Sequence, residues 1–326
     1  MKKRGVLENI LQIGNVSFLR PNLVVVEGEK TNHTEKVFSY KWSKYTQFSQ
    51  EELNSIERQA KQRFLKLYGF SSEEKFKNFL NAKSLIYDAG CGRGHKTAWI
   101  AELAPHALVI GIDIADSVVE ASEKYSSYEN LIFIRGDITK SIFKNETFDF
   151  IVCDQVLHHT KNPPATLREL VRVLKQNGEI ATYVYAKKAL PRELIDEYFR
   201  KNAKKFTHDE LMKLSEQLTL LGKILTNLNV KIDVPDIPLL QIKGGEWDLQ
   251  RFIYYNFIKC YWNESLGWQA SVMTNYDWYA PSLAFRYSEE EFKCMLKNNG
   301  LKIIFFYKDE MASYSGRFKK EQKCAE

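Results

Sequence analysis

Residues 84–95 read Ser-Leu-Ile-Tyr-Asp-Ala-Gly-Cys-Gly-Arg-Gly-His, a run compatible with few folds. Leu85, Ile86 and Tyr87 have the character of a buried strand, Gly90, Gly92 and Gly94 of a tight turn, and residues 95–104 of a helix. Glycine carries no Cβ, so the loop backbone can take positive φ and approach a ligand closely. The helix that follows offers N–H groups with no partner inside it. A polar, nucleotide-like ligand is therefore expected on this loop. The spacing is G-x-G-x-G rather than the G-x-G-x-x-G of dinucleotide enzymes, and the loop by itself leaves the ligand's identity open.

The residues beyond the loop narrow the fold class. Apolar runs at 108–112, 131–135, 148–153 and 179–185 alternate with helix-like segments at 95–104, 115–125 and 163–175. Strands joined by helices of this length imply crossover units and a parallel sheet, and continuous apolar strands imply a sheet covered on both faces. This regularity stops near Ala186. Ser288 with Glu291 opens a further helix to about residue 297, and strand-like runs at 302–307 and 312–318 let the sheet resume. The expectation is a doubly wound, Rossmann-like α/β sheet interrupted by a large helical insertion. It divides the chain into an N-terminal arm with helices (1–80), a catalytic domain (81–186 and 287–326) and an insertion (187–286) that caps the substrate, mediates dimerisation, or both.

Upstream, 16–19 and 23–26 read as two short strands around Arg20-Pro21-Asn22, a small hairpin or irregular arm. Phe38, Tyr40, Trp42 and Tyr45 fit neither helical nor strand periodicity, so that stretch is expected to pack over something. Ser49 with Glu52 is a capping box for a helix over 50–68, and Ser71 with Glu74 signals a second helix ending near Leu80. Within the insertion, Thr207 with Glu210 caps a helix whose leucines stand at 211, 214, 218, 221, 225 and 228. That stripe suits packing on the parent domain or the seam of a homodimer.

With 326 residues, 44% of them hydrophobic, the chain can bury a full core. Its 47 basic against 41 acidic residues give +6, and the basic clusters at 2–4, 187–188, 204–205 and 319–320 are scattered. That pattern fits solvated surface better than a nucleic-acid footprint. Five cysteines with no C-x-x-C pair argue against a disulfide scaffold and a cysteine-based zinc site, so no metal is expected. No run reaches the roughly 20 apolar residues of a membrane span. A cytoplasmic protein without membrane contact is expected.

The ends of the later strands narrow the ligand. Asp113 closes the second strand, where a carboxylate can accept from both hydroxyls of a ribose. The third strand leads into Gly136-Asp137-Ile138, suited to an adenine whose exocyclic amine the carboxylate takes. The fourth leads into Asp154-Gln155-Val156-Leu157-His158-His159, polar groups at the carboxyl edge where open α/β sheets bind ligands. Together, the loop from Asp88 to Gly94, Asp113, Asp137-Ile138, residues 148–159 and the helix and turn over 167–179 resemble the class I S-adenosylmethionine-dependent methyltransferases. The resemblance implies a seven-stranded sheet with an antiparallel final strand. It also implies S-adenosyl-L-methionine as cofactor and S-adenosyl-L-homocysteine as product. Cofactor contacts are then expected from Asp88, Ala89, Gly90, Cys91, Gly92, Gly94, Asp113, Ile114, Gly136, Asp137, Ile138, Asp154 and Gln155. Tyr40 and Trp42 look like a lid over the cofactor, with core packing as the alternative.

Methyl transfer from a sulfonium is an in-line displacement, so such an enzyme chiefly holds the acceptor atom behind the methyl and removes a proton. His159 is the preferred base, with His158 and Asp154 as the other candidates; Asp154 would equally order the cofactor's methionine end. The acceptor is expected against the insertion, where four of the six tryptophans fall within residues 247–278. Asn275, Asp277, Trp278 and Tyr279 are expected to face it, as polar side chains interleaved with aromatic ones. The expected acceptor is an oxygen or nitrogen of a small molecule: a sugar, nucleotide-sugar or secondary metabolite. A transfer or ribosomal RNA is the alternative, drawn by the positive charge and stacked on the aromatics.

Overall fold

The computed structural model describes residues 2–12, 16–27, 32–309 and 311–322. A helix, α1 (Lys2–Ile10), and a hairpin of β1 (Val16–Arg20) and β2 (Leu23–Val26) come first, followed by α2 (His33–Lys44), α3 (Gln50–Leu67) and α4 (Glu73–Leu80). The alternating half contains β3 (Leu85–Ala89), α5 (His95–Leu103), β4 (Leu108–Asp113), α6 (Ser117–Lys124), β5 (Leu131–Arg135), β6 (Phe148–Cys153), α7 (Pro163–Val173) and β7 (Leu174–Ala186). The insertion holds α8 (Leu190–Asn202), α9 (His208–Asn227), β8 (Lys231–Val234), β9 (Gly245–Asp248), α10 (Leu249–Asn256) and α11 (Gly267–Tyr279), ending in the two-residue β10 (Arg286–Tyr287). Helix α12 (Glu289–Asn298) and strands β11 (Leu301–Asp309) and β12 (Ser313–Lys320) close the fold.

The main sheet runs β1-β2-β5-β4-β3-β6-β7-β12-β11, with β10 beside β7. Strands β3 to β7 are parallel neighbours in this order, and β12 lies antiparallel to both β7 and β11. The seven strands from β5 to β11 in that order are the expected ones, while β1, β2 and β10 enlarge the sheet to ten. The sequence marks the hairpin but not its destination. Leu23 and Val24 are buried because β2 pairs in parallel with β5, which covers an edge that β5 would otherwise leave open.

Side chains of the central strands alternate between two cores, one on each face. Ile86, Val109, Phe133 and Phe150 pack with α3, α4 and α5 residues such as Phe64, Phe76 and Trp99; Tyr87, Ile110, Ile132 and Ile151 pack with Leu167, Leu170 and Phe292 of α7 and α12. The N-terminal helices are thus part of the core on one face and more than a lid.

The capping boxes at Ser49, Thr207 and Ser288 form as the sequence predicts. The second N-terminal helix is capped by Ser72, one residue beyond the predicted Ser71. The aromatic stretch around Tyr40 corrects its reading: it is the regular helix α2, opened by an Asn32–Glu35 capping box. The insertion is not wholly helical either, since β8 and β9 pair as a small antiparallel hairpin. The leucine stripe of α9 divides: Leu211 and Leu218 are buried, whereas Leu221 and Leu228 are exposed together with Leu220 and Ile224. The four described cysteines are free, and Cys324 lies outside the described residues. Among the described residues no helix is long and apolar enough to cross a membrane.

Candidate functional site

The glycine turn sits between β3 and α5, and its three glycines have φ of 87°, 55° and 73° for Gly90, Gly92 and Gly94. A Cβ would clash at Gly90, 2.3 Å from Val156, and at Gly94, 2.7 Å from the Phe133 ring, while one on Gly92 would press on the Trp42 ring at 3.0 Å. The loop is tied to the neighbouring strand, with Gly90 and Cys91 N–H both donating to the Ile112 carbonyl at 2.8 and 2.9 Å. Gly92 N–H donates to Asp113 Oδ2 at 2.7 Å, and Ala115 N–H to Asp113 Oδ1 at 2.8 Å. Burial raises the Asp113 carboxyl, and these two backbone donors pull it back only in part. Each of its oxygens retains a further lone pair for a ligand.

A cavity of about 820 Å³ opens above this loop. Its walls bring together Gly90, Cys91 and Gly92; Asp113 and Ile114; Gly136, Asp137 and Ile138; Asp154 and Gln155; and, from opposite sides, Trp42, His159, Asp277 and Trp278. Asp137 is held in place at the strand end by the Thr139 N–H, which donates to its Oδ1 at 2.9 Å. These features fit an adenosyl group: a bare backbone cradle, a carboxylate with spare acceptor capacity beyond it, and a second carboxylate one strand further along the carboxyl edge.

Other sequence candidates stand off the cavity. Asp88 is buried beneath the loop, accepting from the Thr97 hydroxyl at 2.7 Å, and Ala89 and Gly94 likewise support the turn from below. Tyr40 points away: its ring stacks on His208 at 4.3 Å and its hydroxyl donates to Asp209. His158 is fully buried against Tyr185, with ring centroids 3.8 Å apart, and has no access to the cavity. Asn275 spends its amide on structure, accepting from Tyr261 N–H and donating to Thr219 and the Tyr261 carbonyl. Tyr279 donates to the Lys259 carbonyl within the insertion core. The cause of the last two corrections is helical periodicity. Thr274, Asp277 and Trp278 occupy the cavity face of α11, so Asn275 and Tyr279 must lie on another face.

His159 has a defined tautomer. Its Nδ1 lies 2.7 Å from the Leu283 carbonyl, which can only accept, so Nδ1 carries the proton and Nε2 the lone pair. Burial, with Arg200 and Lys41 nearby, pushes its pKa down to about 4 against the pull of Asp277. The imidazole is therefore neutral at physiological pH. Asp277 forms an ion pair with Lys41 at 2.9 Å, and that cation holds its carboxyl below the ordinary range despite burial.

Asp154 is locked by two residues that sequence reasoning missed. Lys96 Nζ donates to its Oδ2 and the Tyr68 hydroxyl to its Oδ1, both at 2.7 Å. Burial alone would raise this carboxyl, but Lys96 overrides it and the pKa falls. A lysine in the first turn of α5 opposes the helix dipole, a local signal that it needs a carboxylate partner.

A family model described as "Methyltransferase domain" matches residues 80–237. The malonyl-[acyl-carrier protein] O-methyltransferase of Halalkalibacterium halodurans is 31% identical over 130 residues, 39% of this chain and 46% of that protein. The ubiquinone biosynthesis O-methyltransferase of Rickettsia prowazekii is 30% identical over 195 residues, 57% of this chain and 75% of that protein. The chain spans half the length or less of the first curated relatives it matches, 46%, 49% and 36% of each. Among solved structures, magnesium protoporphyrin IX methyltransferase from Synechocystis PCC 6803 with bound SAH aligns with a TM-score of 0.47 and 17% identity, covering 88% of this chain and 98% of that one.

Proposed function

Because the chain belongs to the class I S-adenosylmethionine-dependent methyltransferases, we propose that it methylates an oxygen or nitrogen of a small molecule held under the helical insertion. The observation that carries this reading is one cavity that joins the glycine loop and its carboxylates to His159 and to Asp277 and Trp278 of α11. A site partly enclosed by Trp42, Trp278 and Tyr254 suits a compact acceptor.

Gly90 and Gly92 would admit the cofactor against bare backbone, Asp113 would take the ribose hydroxyls, and Asp137 with Ile138 the adenine. Asp154, fixed by Lys96 and Tyr68, would face the methionine end. When bound, S-adenosylmethionine supplies a methyl group already activated by its sulfonium. The protein's share is orientation and proton removal. His159 is the proposed base, because Nδ1 is committed to the Leu283 carbonyl and Nε2 is left as the acceptor.

His159→Ala should lower turnover by about 10²–10⁴-fold while leaving S-adenosylhomocysteine affinity unchanged. A screen with labelled cofactor over sugars, nucleotide-sugars and other metabolites supplies the assay, and unchanged turnover would remove His159 from the role. With a pKa of about 4, the base is unprotonated above that pH, so its acid limb should appear only near pH 4. The same depression means that the unfolded chain binds a proton between about pH 6.5 and 4 that the folded chain refuses. His159 therefore makes stability rise with pH across that window.

A further inference from the structure

One indole in the cavity wall is surrounded by cations. Lys259 Nζ lies 4.4 Å from the centre of the Trp278 ring, the Arg192 and Arg200 guanidinium carbons 5.0 and 5.5 Å, and Lys188 Nζ 5.9 Å. All four side chains belong to buried residues. Opposing charge is scarce: Asp196 is committed to Arg192 and to the Trp278 N–H, and Asp277 is paired with Lys41. Arg200 donates to the Pro281 carbonyl, and Lys188 to the carbonyls of Ala186 and Ala312.

Lys259 differs from these three. Its residue is 7% exposed and lines the cavity, and among the described residues its Nζ makes no ion pair and no hydrogen bond. Burial, reinforced by Arg192 and Lys188, pushes its amine well below the ordinary lysine range, although Asp277 and Asp196 pull the other way. A buried amine in that setting lacks the partner that would let it carry charge. Lys188, Arg192, Arg251, Trp278 and Tyr254 also line the cavity, and Arg192 joins the two rings, its guanidinium carbon 5.0 Å from the Trp278 centre and 5.5 Å from that of Tyr254.

We propose that the methyl acceptor is an oxyanion: a small molecule whose carboxylate or phosphate is held by Lys259 and Lys188 at the Trp278 end of the cavity, its apolar body lying along Tyr254. This rests on the methyltransferase reading and adds the acceptor's charge class to it. Lys259 is the specificity-determining group, since among the described residues its Nζ makes no ion pair and no hydrogen bond, and Arg251, whose guanidinium carbon lies 5.7 Å from the centre of the Tyr254 ring, flanks the acceptor's apolar body.

The test titrates the protein loaded with S-adenosylhomocysteine with benzoate, phenyl phosphate and their neutral relative benzamide, read by ligand-observed NMR. At least one anion should bind about tenfold or more tightly than benzamide, the size of effect that a charge-assisted hydrogen bond gives, and the stronger of the two names the oxyanion. Lys259→Met should erase that preference and Lys259→Arg should keep it, with S-adenosylhomocysteine affinity reporting that each variant is folded. Benzamide binding as well as both anions, binding by neither anion, or a preference that survives Lys259→Met would each overturn the proposal. Failure of S-adenosylhomocysteine itself to bind the wild-type protein would instead strike the cofactor reading.

Discussion

Asp113→Ala is expected to weaken S-adenosylhomocysteine binding by about 100-fold or more. Each hydrogen bond to a charged group contributes roughly 1.5–3 kcal/mol, and the substitution removes the acceptor proposed for two ribose hydroxyls. It also frees the Gly92 and Ala115 N–H groups that the carboxylate holds at 2.7 and 2.8 Å, so the loop loses its anchor to the end of β4. Calorimetry reads the affinity, and circular dichroism melting reports whether the fold survives. Asp113→Asn separates the two roles, because an amide oxygen can still accept one backbone bond while the nitrogen cannot accept from a ribose. Unchanged affinity in Asp113→Ala would remove this residue from the ribose position.

Lys96→Met should be costly to the fold itself. It strands the Asp154 carboxylate with Tyr68 as its remaining neutral donor, and breaking one side of a buried ion pair costs about 3–5 kcal/mol. The pH dependence should also change sign. In the wild type the Asp154 pKa lies below the ordinary carboxylate value, so its contribution is present above that value and is lost as pH falls through the folded pKa. Without Lys96, burial raises the pKa, and the variant should become less stable as pH rises from about 4 towards 7. Urea unfolding at the two pH values measures this directly. Adding Asp154→Asn should recover much of the loss at neutral pH, a coupling that two independent surface charges would not show.

Much of the site was readable because it lies at strand ends. An apolar run that stops at a carboxylate places that carboxylate at the edge of the sheet, and Asp113, Asp137 and Asp154 all reach the cavity for this reason. The glycine turn was equally legible, since three glycines in five residues have few structural uses. The aromatic helix α2 was not legible because more than one of its faces is occupied. Trp42 and Lys41 face the cavity while Tyr40 faces His208, so no apolar stripe of one phase survives. Adjacent histidines presented the same difficulty at smaller scale: the short turn at 157–159 sends His159 to the cavity and His158 into the core.

The insertion was harder still. Its polar residues among aromatics predict a surface facing substrate, yet Asn275 bridges Tyr261 and Thr219 inside the cap. Lys259 left no local signature, because what distinguishes it is the company of Lys188, Arg192 and Trp278, brought from distant parts of the chain. Charges that meet only in the folded protein cannot be paired from sequence order.

Calorimetric titration of the wild-type chain with S-adenosylhomocysteine and, separately, with NAD tests the assignment of the cavity most directly. Saturable binding of S-adenosylhomocysteine, one molecule per chain with no heat from NAD, is the expected result. Tight binding of NAD with no response to S-adenosylhomocysteine would contradict it.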